Sequence, residues 1–166
     1  MAWNNVLCVY YSRTGNTKRT MEEIAKDLNA ELVELSDGVD RSGAGGWLRS
    51  GLDAVRRSSP KVKFETKWSL SDYRLVIVGT PVWAGRCSAP VRGFLKQNGR
   101  DIRNAAYVIT RGSEDKNEEV YQQMDHYTPC GHQAAISLRS GSVGYDFWQE
   151  EFLRQVREFL KEGQWS

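Results

Sequence analysis

The sequence predicts an α/β fold, a three-layer, doubly wound, five-stranded parallel sheet. Two observations predict it. Short, continuously apolar, β-rich runs recur along the chain, as expected of strands buried on both faces. Between them lie stretches whose apolar residues recur at offsets of 3, 4 and 7, one face of a helix. Strands alternating with helices pair in parallel and are covered on both sides.

Val6-Leu7-Cys8-Val9-Tyr10-Tyr11 is the first strand. After Ser12 to Thr17, Met21, Ile24, Ala25 and Leu28 mark a helix face. Glu31 to Leu35 follows as a short strand of period two. Gly43-Ala44-Gly45-Gly46 reads as a flexible loop before a helical stretch, Trp47 to Arg57. A basic, irregular passage then runs to Asp72. Leu75 to Gly79 is the clearest buried strand. Pro90, Val91, Phe94 and Leu95 make a helix with Pro in its first turn and Gly99 past its end. Ala105 to Ile109 is the fourth strand. Asp115 with Glu118 reads as a capping pair before a helix marked by Val120, Met124 and Tyr127. Gln133 to Arg139 is the fifth strand. Trp148, Phe152, Val156 and Phe159 line a terminal helix.

Composition narrows the function classes. The 166 residues suit one domain, 1–166. With 23 basic and 21 acidic side chains the net charge is +2, so no electrostatic case exists for a nucleic-acid or membrane partner. No apolar run approaches the ~20 residues that cross a bilayer. Met1-Ala2-Trp3-Asn4-Asn5 lacks a charged leader region, and a cytoplasmic location is expected. Cys8, Cys87 and Cys130 have neither disulfide nor metal spacing, and His126 and His132 form no metal motif.

In doubly wound sheets, ligands sit at the carboxyl ends of the strands. Three loops leave strands there. Ser12-Arg13-Thr14-Gly15-Asn16-Thr17 is crowded with hydroxyls and amides and opens a helix. Its backbone N–H groups suit a phosphate, whereas an ordinary N-cap needs only one such residue. It lacks the lysine of a P-loop and the glycines of a dinucleotide turn. Thr80-Pro81-Val82-Trp83-Ala84-Gly85-Arg86 offers an indole either to a flat ligand or to the neighbouring helix as an anchor. In Thr110-Arg111-Gly112-Ser113, a hydroxyl and a glycine allow close approach of a ligand, or form a plain connector.

These residues resemble the flavodoxin-like family of FMN-binding proteins. Val9 to Thr17 is similar to its phosphate-loop signature, Ser/Thr-x-Thr-Gly-Asn-Thr, after an apolar strand. Val78 to Gly85 is similar to its second loop, and Trp47 to Pro60 resembles the second helix of small bacterial members. The resemblance implies strand order 2-1-3-4-5 and FMN as cofactor. Ser12, Thr14, Asn16 and Thr17, with the Gly15 amide, would hold the phosphate. Trp83 and the Thr80–Gly85 backbone would cover one part of the ring, and Thr110 to Ser113 would approach its other edge. There is no room for the insertion that splits the fifth strand in long-chain flavodoxins. Two features depart from the family. Its electron shuttles are acidic, whereas this chain is slightly basic. Arg111 stands where small neutral residues are usual. If it reached the flavin, it would favour the anionic reduced form; otherwise it is a solvated arginine.

A receiver domain is set aside because Tyr11-Ser12 and Gly79-Thr80 stand where it needs acids. A tyrosine phosphatase is set aside because only four residues separate Cys8 from Arg13. The expected function is therefore electron transfer through a non-covalently bound flavin, with an unidentified redox partner. The alternatives are an FMN-dependent NAD(P)H oxidoreductase with a quinone-like acceptor, and a non-catalytic flavin-binding module. No general acid or base is evident.

Overall fold

The computed structural model describes residues 5–162, so Met1 to Asn4 of the stretch read above lie outside it. Five parallel strands form the sheet: β1 (Val6–Tyr10), β2 (Glu31–Glu34), β3 (Leu75–Trp83), β5 (Ala105–Arg111) and β6 (His132–Arg139). A two-residue strand, β4 (Arg86–Cys87), pairs antiparallel with the end of β3. The spatial order is β2-β1-β3-β5-β6, which is 2-1-3-4-5 when only the parallel strands are counted. In register, Cys8 lies beside Ile77, Ile77 beside Ala106, and Ala106 beside Ala134.

Among the described residues five α-helices cover the sheet: α1 (Asn16–Leu28), α2 (Gly43–Val55), α3 (Ala89–Asn98), α4 (Glu119–Asp125) and α5 (Tyr145–Glu162). Strand side chains alternate between faces, so β1 feeds two cores. Val6, Cys8 and Tyr10 pack with Met21 and Ile24 of α1 and with Phe152 and Val156 of α5. Leu7 and Val9 pack on the other face with Phe94 and Leu95 of α3 and with Val120 and Met124 of α4. Each such side chain, buried, contributes roughly 1.5–3 kcal/mol.

Four local expectations change. The glycine run at 43–46 is the first turn of α2, not a loop. Gly46 is buried there against the preceding chain, and a Cβ on it would overlap the Arg41 carbonyl. Glycine is what lets the helix approach so closely. Next, β3 continues past Gly79 through Trp83. The Gly79 carbonyl accepts from Tyr11 N–H at 3.2 Å. Two residues on, Pro81 faces the same side, beyond the end of β1, so its missing N–H leaves no ladder bond unmade. Asp115 does not cap a helix. Its Oδ1 accepts from Asn117 N–H at 2.9 Å, and α4 starts only at Glu119 because Asn117 adopts a left-handed φ of 52°. Finally, Trp148 is exposed. Leu153 and Leu160 join Phe152 and Val156 as the buried face of α5.

Among the described residues, no helix is long and apolar enough to cross a membrane.

Candidate functional site

The three predicted loops meet at the carboxyl edge of the sheet. In the first, Gly15 takes a φ of 102° and turns the chain into α1. Ser12 Oγ accepts from Gly15 N–H at 3.0 Å, which closes the turn. The first helical bond runs from Arg19 N–H to Gly15 O at 3.0 Å. Among the described residues no side chain caps the helix, so the amides of its first turn stay open to an external acceptor. Thr17 Oγ1 lies 2.7 Å from Thr110 Oγ1, a buried hydroxyl pair that joins the first loop to the third.

The second loop is a hairpin. Val82 pairs with Cys87 and Trp83 with Arg86, leaving Ala84-Gly85 as a two-residue turn. Both residues have positive φ, 50° and 74°, as a primed turn requires. Thr80 points away from this edge. Its hydroxyl accepts from Ser88 N–H at 2.9 Å and donates to Ser88 Oγ at 3.1 Å, which fixes the start of α3. Trp83 is only 8% exposed and sits in the core cluster, yet its ring also borders the cleft. Tyr11 meets it edge-on, with centroids 5.6 Å apart.

On the third loop, Arg111 Nε donates to Ser137 Oγ at 2.7 Å and Nη1 to Ser113 O at 2.6 Å. The guanidinium is tied to β6 and to its own loop. These bonds hold Arg111 at the border of the cleft, on whose lining it lies.

The loops enclose a cleft of about 240 Å³. Ten of the sixteen predicted residues line it: Arg13, Thr14, Asn16, Thr17, Pro81, Val82, Trp83, Thr110, Arg111 and Gly112. Ser12, Gly15, Thr80, Gly85 and Ser113 shape or anchor the loops instead. Ala84 lines a neighbouring groove. Three lining residues were missed: Thr20, Trp47 and Ser140. Thr20 had a signal, one helical turn after Thr17. Ser140 follows the fifth strand at the same edge. Trp47 had none, because only the fold brings α2 beside Trp83.

Beneath Trp83 lies a buried ion cluster. Arg41 is 3% exposed. Its Nη2 donates to Asp37 Oδ2 at 2.7 Å, and its Nη1 reaches Asp53 Oδ2 at 2.9 Å and Ser50 Oγ at 3.3 Å. Burial opposes its charge, but the two carboxylates outweigh that and raise its pKa. Its carbonyl accepts from Arg13 Nη1 at 3.3 Å. Arg41 therefore ties the first loop, the β2–α2 connection and α2 together.

The groove, about 580 Å³, adjoins the cleft and shares Arg13, Trp47, Val82 and Trp83 with it. Leu48, Gly51, Leu52, Val55 and Ala84 complete most of its wall. The cysteines supply no nucleophile here. Cys8 and Cys87 are buried, and burial pushes the Cys8 thiol up to about 12 and the Cys87 thiol up as well.

No protein-family model matches the chain, and no curated protein does. Solved structures do match. A flavoprotein from Lactobacillus acidophilus, in complex with FMN, superposes with a TM-score of 0.66 at 24% identity over 87% of this chain and 98% of its own. A protein from Bacteroides eggerthii assigned to the flavoproteins gives 0.71 at 16%, over 95% and 96%. A WrbA-like flavodoxin from Agrobacterium tumefaciens gives 0.54 at 16%, over 93% and 98%. Together with the strand order, these likenesses show a flavodoxin-like fold.

Proposed function

We propose that this chain is a single FMN-binding domain, 1–166, that passes electrons through a non-covalently bound flavin. One observation carries the reading: three loops, distant in sequence, converge on one cleft that is polar at the α1 end and aromatic at the other. The residues fit the group. Thr14, Asn16 and Thr17, with the uncapped amides of α1, suit a phosphate. Pro81, Val82 and Trp83, with Trp47 opposite, suit a flat ring, and Gly112 leaves room at its edge. The flavoprotein from Lactobacillus acidophilus, which shares the fold, was crystallised with FMN.

When bound, FMN supplies the redox chemistry, and the protein contributes binding, orientation and electrostatics. The α1 amides and loop hydroxyls fix the phosphate end. The Arg41 cluster holds Trp83 in place. Buried Thr17 and Thr110 keep the two outer loops in register.

A second reading has its own support. The apolar groove beside the cleft is a place for a small acceptor, which a carrier of electrons between proteins does not need. It favours an FMN-dependent oxidoreductase. The protein partner of a carrier, or the nicotinamide donor of an enzyme, belongs to the cytoplasm in this reading.

The test is an absorbance spectrum of the purified protein before and after incubation with FMN, then anaerobic titration with NADH, NADPH and dithionite. Flavin bands that survive gel filtration are expected. Their absence after reconstitution overturns FMN binding. Rapid bleaching by a nicotinamide supports the enzyme. Reduction by dithionite alone supports the carrier.

A further inference from the structure

The groove beside the cleft has properties that the fold does not require. Trp47, Leu48, Leu52 and Val55 are all exposed on one helix, α2. Water-exposed apolar side chains concentrated in a concave surface mark a binding site more often than single ones do. Gly51 sits in the interior of that helix, where glycine is the least favourable ordinary residue. Nothing steric demands it: a Cβ there meets no atom within 4 Å. Its missing side chain is empty groove. The wall is also rigid, because Ser50 and Asp53 of α2 are held by Arg41.

We infer that this groove binds a small planar aromatic molecule carrying an anionic group, beside the cofactor cleft rather than in it. Its volume of about 580 Å³ falls within the range of small-molecule pockets. Trp47 and Trp83 offer aromatic surface to a flat ring. Among the described residues, Arg13 is the only charged side chain on the lining. Among the described residues its one hydrogen bond is to the Arg41 carbonyl, which leaves most of a guanidinium's donors for an oxyanion. Arg49 of the same helix is neutralised by Asp53, so the charge preference rests on Arg13, and a cationic ligand is disfavoured.

The inference goes beyond the cofactor reading and is tested apart from it. 2-Naphthoate, 2-naphthol and 2-naphthylmethylamine are titrated into the protein, with and without FMN, and binding is read by tryptophan fluorescence and calorimetry. Naphthoate is expected to bind at least tenfold more tightly than the amine, with FMN still retained. Gly51→Leu should weaken naphthoate at least tenfold without lowering Tm. Leu48→Glu, at an exposed position on the wall, should weaken naphthoate by a clearly larger factor than naphthol, since both lose an apolar contact and only naphthoate meets the new like charge. Equal affinity for the three probes overturns the inference, and so does unchanged naphthoate affinity in both variants. Release of FMN by naphthoate also overturns it, since the groove would then be the flavin's own seat. A dimer that Leu48→Glu converts to monomer overturns it in favour of a second copy of the chain. A wild-type protein that binds naphthoate but not FMN overturns the cofactor reading alone, and the reverse result overturns this inference alone.

Discussion

The Arg41 guanidinium lies 5.0 Å from the centre of the Trp83 ring, with Asp37 and Asp53 bonded to its nitrogens. A buried charge is thus paired twice and faces an aromatic π-surface, which is attractive for a cation. Removing the arginine would leave Asp37, whose side chain is 1% exposed, without its cationic partner, and Asp53 with only the exposed Arg49. Arg41→Met is therefore expected to cost about 3–5 kcal/mol, far more than the pair's net worth. Urea unfolding checks it. Adding Asp53→Asn to Arg41→Met should cost less than the two single losses together, because each already breaks the same cluster.

The Thr17–Thr110 hydroxyl pair makes a different claim on the site. Both residues are buried, and their 2.7 Å contact joins two loops. Thr17→Val keeps the shape and removes one hydroxyl. About 1–2 kcal/mol of stability should go, since Thr110 is left unsatisfied. If Thr17 also serves the phosphate, FMN affinity should fall at least tenfold while riboflavin affinity falls less. Equal losses for both flavins would assign Thr17 to the loops alone. Fluorescence titration of the two flavins decides it.

How much of this could be read in advance depends on how local each cause is. The runs at Val6 to Tyr10 and Leu75 to Val78 are apolar throughout because both faces of those strands are buried, a property each strand carries alone. The phosphate-loop signature is likewise contiguous, and Thr14, Asn16 and Thr17 do line the cleft. Gly43 to Gly46 misled because the reason for Gly46 is a contact with Arg41, not a loop. Pro81 concealed the extension of β3, since its tolerance depends on where β1 ends. Arg41 gave no local sign of burial, because its partners come from two elements. Trp47 became visible only when α2 was seen beside the hairpin.

The hairpin turn carries strain that can be relieved. Ala84 has a φ of 50°, a left-handed conformation that costs an L-residue with a Cβ roughly 1–2 kcal/mol. Asparagine tolerates it best among residues with a side chain, and Asn-Gly is the preferred pair for such a turn. Ala84→Asn should therefore stabilise the protein by roughly 0.5–1 kcal/mol, seen as a higher urea midpoint at unchanged slope. Ala84→Val should do the reverse.

Cys8 sets an alkaline limit. The thiol is fully buried in the centre of β1, and burial raises its pKa from 9.0 to about 12. The folded state thus holds the proton more tightly than the unfolded chain. For a group raised on folding, the stabilising contribution is complete below the unfolded value and is lost as pH climbs through the folded one. The loss therefore falls between about pH 9 and pH 12 and amounts to about 4 kcal/mol at the upper end. Tyr10, Tyr107 and Tyr121 are raised by burial too, so they share the alkaline slope. The comparison with Cys8→Ala isolates the thiol: the variant should be less stable at pH 7, from the lost packing, yet lose less stability between pH 9 and pH 11. Thiol labelling gives an independent check. At pH 8 only the exposed Cys130 should react quickly with a disulfide reagent, and Cys8 should react only on unfolding. Rapid labelling of Cys8 in the folded protein would mean that β1 opens far more readily than its burial on both faces allows.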